Sequence, residues 1–241
     1  MTLRRPPHQI VATVLGAGTM GAQIAAHLAN AGVKTFLLDI VPKDAGDDPK
    51  ARNAIVAKAS KALLKAKPPA YMSKDFASRI ETGNFDDDLD RAVSQSDLVI
   101  EAVIERLDIK QSLFSKVAAA AKPTTILATN TSGIPISDIA EGLDESARKR
   151  LIGLHFFNPV HIMKLLEIVV ATTTDDAVLE TCKSFGARIG KETITVKDAP
   201  GFATSRLGLV IGLEAIRMVE QGVASAEDID KAMTLGYGFP M

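Results

Sequence analysis

Cysteine is nearly absent from this chain of 241 residues, which contains Cys182 alone. A single thiol cannot form an intramolecular disulfide and has no partner for a cysteine-based metal site. The sequence therefore fits a reducing, cytoplasmic compartment. Cys182 itself is predicted to be a small core residue on a helix, in a chain whose hydrophobic share of 46% is ample for a packed core.

An excess of either charge is also lacking, because 28 Lys and Arg stand against 29 Asp and Glu. Bulk electrostatics therefore suggest neither a nucleic-acid partner nor an anionic membrane. No run of about 18 apolar residues occurs, which predicts no membrane span, and the N-terminal residues show no signal-peptide pattern. No metal-binding His/Glu spacing is present, so no metal is predicted. The serine-hydrolase motif G-x-S-x-G is also absent.

A glycine motif between a predicted strand and a predicted helix is the most informative pattern. Apolar residues 11–15 run into Gly16-Ala17-Gly18-Thr19-Met20-Gly21, and an Ala-rich amphipathic segment follows at once. In this context Gly16 allows the turn, Gly18 lets a pyrophosphate approach the backbone, and Gly21 lets the helix pack closely. The unpaired N–H groups of the helix N-terminus would face the phosphates. The motif predicts a dinucleotide site, the alternative being a glycine-rich turn without a ligand.

A second apolar run, residues 33–38, ends in Asp39. A carboxylate at the end of a second strand can hold the ribose hydroxyls of an adenosine, and it would repel a 2′-phosphate. Asp39 therefore favours NAD over NADP, unless it is an incidental acid.

Strand and helix patterns alternate up to about residue 197, which predicts an α/β fold with a Rossmann-type, doubly wound, mostly parallel sheet. Beyond it, residues 207–221 and 226–235 have helical patterns with no strand between them. We therefore predict an NAD-binding domain over 1–197 and the beginning of an α-helical second domain over 198–241. The last residues, 236–241, are typical of a turn leading onward, which predicts that this second domain is truncated.

Ligands of open α/β sheets bind at the carboxyl ends of the strands, where few polar residues are predicted. They are Asp39, Glu101, Glu105, residues 129–132 and His155. Twelve residues after His155, Glu167 interrupts an apolar strand, and a buried acid there needs a partner. If the two strands are adjacent, the carboxylate would fix the imidazole tautomer and raise the basicity of the other nitrogen, as in a general base. A hydrogen-bonded core histidine is the equally open alternative.

The predicted helix over residues 51–67 carries lysines at positions 58, 61, 65 and 67. Such a helix usually presents a solvated face. The alternative is an anchor for a phosphorylated substrate such as coenzyme A.

These residues lie within motifs that resemble the L-3-hydroxyacyl-CoA dehydrogenase family, including 3-hydroxybutyryl-CoA dehydrogenases, over nearly the whole chain. The motifs are Gly16 to Gly21, Glu101-Ala102-Val103-Ile104-Glu105, Asn130-Thr131-Ser132, Gly153 to Pro159, Met163 to Glu167 and Pro200-Gly201-Phe202.

The resemblance implies NAD as cofactor and oxidation of (S)-3-hydroxyacyl-CoA to 3-oxoacyl-CoA, in fatty-acid β-oxidation or short-chain acyl-CoA metabolism. It implies that His155 is the general base, Glu167 its paired carboxylate, Ser132 the serine beside substrate and nicotinamide, and Asn158 an asparagine near the histidine. The implied cofactor-binding residues are Gly16, Gly18, Thr19, Met20, Gly21, Asp39, Glu105 and Lys110. The implied substrate contacts are Ser60, Lys67, Ser132 and Ser205. A homodimer through the helical domain is implied as well.

One position departs from the family pattern. Pro-Gly-Phe is commonly followed by two residues and then Asn-Arg, but here Ser205 precedes Arg206. A hydroxyl can still form a hydrogen bond, so the change puts substrate positioning in doubt more than the reaction class. Two other functions stay open: a non-catalytic NAD- or acyl-CoA-binding protein on the same fold, and a dehydrogenase of a non-CoA hydroxy acid. His155 with Glu167 argues against the first, and Ser60 with Lys67 against the second.

Overall fold

The computed structural model describes residues 2–239. The chain divides into two compact units, Met1–Ala199 and Pro200–Met241. The division falls two residues after the boundary predicted from the sequence.

An eight-stranded sheet forms the centre of the first unit, in the order β3-β2-β1-β4-β5-β6-β7-β8. Six of its seven strand pairings are parallel, and the pairing of β6 with β7 is antiparallel. The predicted Rossmann-type, mostly parallel sheet is therefore confirmed. The strands are β1 (Val11–Leu15), β2 (Lys34–Asp39), β3 (Ile80–Asn84), β4 (Leu98–Glu101), β5 (Ile126–Thr129), β6 (Leu151–Phe156), β7 (Leu165–Val170) and β8 (Glu192–Lys197).

The chain order reverses between β1 and β4, which are neighbours in the sheet. In open α/β sheets this switch point is where ligands bind, outside the carboxyl ends of the strands. The glycine motif follows β1 there and Glu101 ends β4. The antiparallel pairing of β6 and β7 has a simple cause, since only residues 157–164 connect them and a parallel crossover needs about a dozen residues or more.

The first unit has eight α-helices among its described residues. They are α1 (Thr19–Asn30), α2 (Pro49–Arg52), α3 (Ala54–Lys65), α4 (Phe85–Gln95), α5 (Leu107–Ala120), α6 (Ile136–Ala140), α7 (Glu145–Arg150) and α8 (Asp176–Arg188). Helix α1 packs beside α3, and α4 beside α5. Cys182 is fully buried on α8, and burial raises the pKa of its thiol to about 12.

The lysine-bearing helix differs from the prediction of one helix over 51–67. It is interrupted at Asn53, whose side-chain amide donates to the carbonyl oxygen of Pro49 at 3.0 Å. An asparagine that hydrogen-bonds its own backbone neighbourhood competes with helix propagation, and α3 therefore starts afresh after it. Beyond α3, a 3-10 helix, Lys74–Arg79, leads directly into edge strand β3.

The second unit contains α9 (Thr204–Glu220), α10 (Ala226–Lys231) and a π-helical turn, Ala232–Tyr237. Its described residues, 200–239, include no strand. Across the part of the chain that the structure describes, no helix is both long enough and apolar enough to cross a membrane.

Candidate active site

The glycine motif forms a tight turn at the switch point, and two of its glycines are required by space. Gly16 has a φ of +101°, and a Cβ there would lie 2.6 Å from the carbonyl oxygen of Ala102. A Cβ on Gly21 would lie 1.8 Å from the carbonyl oxygen of Gly16. Gly21 therefore lets the first turn of α1 pack directly against the backbone of the glycine turn. Both glycines bring the start of α1 against the ends of β1 and β4.

Gly18 has a different environment, because a Cβ there would meet no heavy atom within 4 Å. It is the N-cap residue of α1, and no side chain caps the helix at this end. The first N–H groups of α1 are therefore available to an anion, and the space above Gly18 is open to it. This backbone cradle fits the pyrophosphate of a dinucleotide.

Asp39 contacts the glycine turn from the end of the neighbouring strand, β2. Its carboxylate accepts hydrogen bonds from the backbone N–H of Ala17 at 2.6 Å and of Ile40 at 2.7 Å. A cavity of about 680 Å³ is lined by Gly16, Gly18 and Asp39 together with apolar residues of α4, α5 and the segment after β4. The cavity has the carboxylate and the apolar walls that an adenosine needs.

The remaining residues of the motif lie in different surroundings. Thr19 is exposed and lines a second cavity, while Met20 is half-buried and packs against the main hydrophobic core.

This second cavity, about 740 Å³, lies between α1, α3 and the segment that follows β6. Its wall is mostly apolar, and its polar lining comes from Thr19, Gln23, Lys58, Lys67, Asn158 and His161. Ser60 is half-buried on α3 and is not among the residues that line it.

His155 and Glu167 are directly paired across β6 and β7. The His155 Nδ1 lies 2.8 Å from the carboxylate of Glu167, and the His155 Nε2 lies 3.1 Å from the Ser132 Oγ. Glu167 is fully buried and His155 is 4% exposed, whereas Ser132 is exposed. An ionised carboxylate only accepts hydrogen bonds, so this network assigns the proton of the neutral imidazole to Nδ1 and the lone pair to Nε2.

Glu105 holds the loop that carries Ser132. Its carboxylate accepts hydrogen bonds from the Thr131 hydroxyl, from the backbone N–H of Ser132 at 3.0 Å and from that of Gly133 at 3.3 Å. Partial burial raises the pKa of Glu105, but these hydrogen bonds and the nearby Lys110 outweigh that effect, so the pKa lies below its ordinary value. The carboxylate is therefore ionised at neutral pH.

Lys110 links Glu105 to a buried carboxylate. Its Nζ lies 2.7 Å from Glu101 and 3.2 Å from Glu105, and the side chains of Lys110 and Glu101 are 1% and 0% exposed. Glu101 also accepts hydrogen bonds from the Thr129 hydroxyl and the Val103 N–H, each at 2.7 Å. The network fixes the ends of β4 and β5. A direct contact of Lys110 with the cofactor stays a prediction.

Asn158 is exposed and lies three residues after His155, in the segment that lines the larger cavity. Its Oδ1 accepts a hydrogen bond from the Gln23 Nε2 at 3.0 Å. Gln23 is a residue that sequence reasoning missed, although a glutamine on an otherwise Ala-rich helix directly after the glycine motif was a signal. Ser205 is the second residue of α9, in the second unit.

A mostly parallel sheet with a glycine turn at its switch point and a carboxylate at the end of the neighbouring strand β2 is typical of NAD-binding dehydrogenases. The family model described as the NAD binding domain of 3-hydroxyacyl-CoA dehydrogenase matches residues 11–199. The model of the C-terminal domain of the same family matches residues 201–241. The chain belongs to the 3-hydroxyacyl-CoA dehydrogenase family: it is an enzyme of that family, and its cofactor is NAD.

Individual relatives agree with the family models. A probable 3-hydroxyacyl-CoA dehydrogenase of Caenorhabditis elegans is 41% identical over 231 residues, which are 95% of this chain and 73% of the relative. The mitochondrial hydroxyacyl-coenzyme A dehydrogenase of Sus scrofa is 38% identical and covers 95% of this chain and 72% of its own length. The crystal structure of 3-hydroxybutyryl-CoA dehydrogenase from Escherichia coli K12 superimposes with a TM-score of 0.80 at 33% identity, covering 96% of this chain and 47% of that one.

Proposed function

We propose that this chain catalyses the reversible oxidation of (S)-3-hydroxyacyl-CoA to 3-oxoacyl-CoA with NAD, in fatty-acid β-oxidation or short-chain acyl-CoA metabolism. The observation that carries the proposal is the imidazole of His155 between the Glu167 carboxylate and the exposed Ser132 hydroxyl. This pairing leaves a basic nitrogen beside an exposed hydroxyl, which a histidine with a purely structural role does not need.

His155 is the general base in this proposal. Its Nε2 takes the proton of the substrate 3-hydroxyl, and the charge that develops on the imidazole is stabilised by Glu167 at Nδ1. NAD, when bound, accepts the hydride from C3 at the nicotinamide. In the reverse direction the imidazolium returns the proton to the carbonyl oxygen.

Ser132 and Asn158 orient the reacting oxygen. The Ser132 hydroxyl lies 3.1 Å from Nε2, so a substrate oxygen placed beside both groups would receive one hydrogen bond from the serine and exchange its proton with the histidine. Asn158 lies on the wall of the larger cavity and supplies a second donor.

We assign the smaller cavity to the adenosine of NAD and the larger one to the pantetheine portion of the substrate. The mostly apolar wall of the larger cavity suits a flexible thioester arm, and Lys67, which lines it, suits a phosphate. Ser60 is a weaker candidate, because it does not line this cavity. The cofactor is assigned to Gly16, Gly18, Thr19, Met20, Gly21 and Asp39, with Glu105 and Lys110 behind the nicotinamide side.

Three further assignments are proposals of the same kind. Residues 1–197 act as the NAD-binding domain, and 198–241 as a helical region in which Ser205 contacts the substrate. The chain pairs with a second copy through α9, whose Leu207, Leu213 and Ile216 are exposed. It works in the cytoplasm, where its single thiol stays reduced.

The test follows NADH absorbance as purified protein is mixed with acetoacetyl-CoA, beside the variant His155→Gln. We expect turnover by the wild type and a loss of about 100-fold or more in kcat for the variant, as is typical for removal of a general base. A wild type that binds NADH without turnover would contradict the reaction and support a non-catalytic binding protein. An undiminished variant would contradict the base assignment.

A further inference from the structure

Gln23 forms a two-point contact between α1 and the segment that carries Asn158. Its Oε1 accepts a hydrogen bond from the backbone N–H of Val160 at 2.9 Å, and its Nε2 donates to the Asn158 Oδ1 at 3.0 Å. The two contacts span more than 130 residues of sequence, and Gln23 lines the larger cavity beside Asn158.

The polarity of this contact follows from its first hydrogen bond. A backbone N–H can only donate, so the Gln23 group facing Val160 is the oxygen, and the group facing Asn158 is the NH₂. An NH₂ can only donate, so Asn158 must present its Oδ1. The Asn158 Nδ2 therefore points away from Gln23. Among the described residues it has no hydrogen-bond partner, so both its protons are available to a ligand.

The segment itself is held from its other side by Lys191. This buried ammonium donates to the carbonyl oxygens of Val160 and, at 2.8 Å, Met163. The backbone under Asn158 is therefore fixed, and what remains adjustable is the rotation of the Asn158 amide. Among the residues that the structure describes, Gln23 is the group that sets this rotation.

We propose that Gln23 is a positioning residue, which orients the Asn158 amide so that an N–H, rather than an oxygen, faces the reacting oxygen of the substrate. The inference rests on the proposed function, in which that oxygen is the 3-hydroxyl or 3-carbonyl. A donor stabilises the oxygen as negative charge develops on it, and an acceptor in its place would repel it.

The test inverts the polarity of the contact without changing its shape. In Gln23→Glu one carboxylate oxygen still accepts from Val160, but the other can no longer donate, so Asn158 turns its NH₂ towards the carboxylate. Gln23→Met has a similar length and removes both hydrogen bonds without imposing the wrong orientation. Gln95→Glu makes the same charge change at an exposed position at the end of α4, next to the amino end of β4.

We expect kcat for acetoacetyl-CoA reduction at saturating NADH to fall about tenfold in Gln23→Glu, about the effect of one misplaced hydrogen bond. Gln23→Met should lose less, and Gln95→Glu should match the wild type. Lowering the pH from 7 to 5 should raise the ratio of the Gln23→Glu to the wild-type kcat about twofold, because roughly a sixth of a carboxyl with the ordinary pKa of about 4.3 is protonated at pH 5 and regains a donor.

Equal losses in Gln23→Glu and Gln23→Met, or a Gln23→Glu variant within twofold of Gln95→Glu, would overturn the positioning role while leaving the reaction itself intact. A ratio that falls as the pH is lowered would overturn it as well. A wild type without turnover would contradict the proposed function, and this inference with it.

Discussion

Glu167 lies directly opposite His155 in the one antiparallel pairing of the sheet, with its carboxylate 2.8 Å from the His155 Nδ1. The acid is fully buried, and a buried carboxyl group needs a hydrogen-bonding partner, which the imidazole supplies. The pairing ties the reactivity of the imidazole to the register of two strands. A shift of one residue would turn Glu167 to the other face of the sheet.

The first prediction concerns this pair. Glu167→Gln keeps the shape of the side chain but removes the charge that stabilises the imidazolium, so kcat should fall by at least about tenfold while the Kd for NADH stays unchanged. Steady-state kinetics and fluorescence titration of NADH measure the two quantities. Glu192→Gln is the control, because it makes the same change at an exposed residue of the neighbouring strand β8. A Glu167→Gln variant with wild-type kcat would show that the carboxylate is merely structural.

The glycine motif offers a matched pair of substitutions. Gly21→Ala should lower the free energy of unfolding strongly, because its Cβ would overlap the carbonyl oxygen of Gly16 at 1.8 Å. Gly18→Ala should leave stability close to that of the wild type, since no heavy atom lies within 4 Å of the added carbon, but it should weaken NADH binding about tenfold or more by crowding the pyrophosphate. Urea denaturation and NADH titration separate the two effects. Tight NADH binding by Gly18→Ala would place the pyrophosphate elsewhere.

A third prediction addresses the larger cavity. Lys67→Ala should raise KM for acetoacetyl-CoA several-fold, the effect of one exposed charge contact with a phosphate, with little change in kcat. With the N-acetylcysteamine thioester of acetoacetate, which lacks the phosphates, KM should not respond to the substitution. Lys65→Ala is the matched control, because Lys65 is exposed at the end of α3, just before the segment that carries Lys67, but does not line the cavity. Equal KM changes with both thioesters would argue against a phosphate contact.

The fourth prediction concerns pH and stability. Burial, and next the charge of Lys191, lower the pKa of His27 from 6.5 to about 4. The unfolded chain therefore binds a proton between these pH values that the folded chain refuses, so this contribution to stability is present above pH 6.5 and is lost as the pH falls towards 4. In His27→Leu the free energy of unfolding should depend less steeply on pH across this range.

Urea denaturation at several pH values measures this dependence. His8→Leu is the control, because His8 is exposed in the N-terminal segment. Identical pH slopes for wild type and His27→Leu would show that His27 titrates normally in the folded protein.

The differences between prediction and structure have local causes. Edge strand β3 gives no apolar run in the sequence, because Glu81 and Thr82 are polar and exposed. The helix break at Asn53 depends on one side-chain hydrogen bond, which propensity over a long window does not register. Helix α7 is six residues long, too short for a periodic pattern.

The sequence by itself determined the sheet, the dinucleotide turn and the residue types of the site, because these depend on local rules. Strand–helix alternation requires a parallel sheet, three glycines at this spacing require a tight turn, and Asp39 follows a strand wherever that strand lies. Only the tertiary structure decided which groups meet. From the sequence, His155 was either a base paired with Glu167 or a hydrogen-bonded core histidine. The register of β6 and β7 places Glu167 directly opposite it. The contact of Gln23 with Asn158 joins residues 135 positions apart, and hydrogen bonds at such separations depend on how elements pack rather than on any pattern within them.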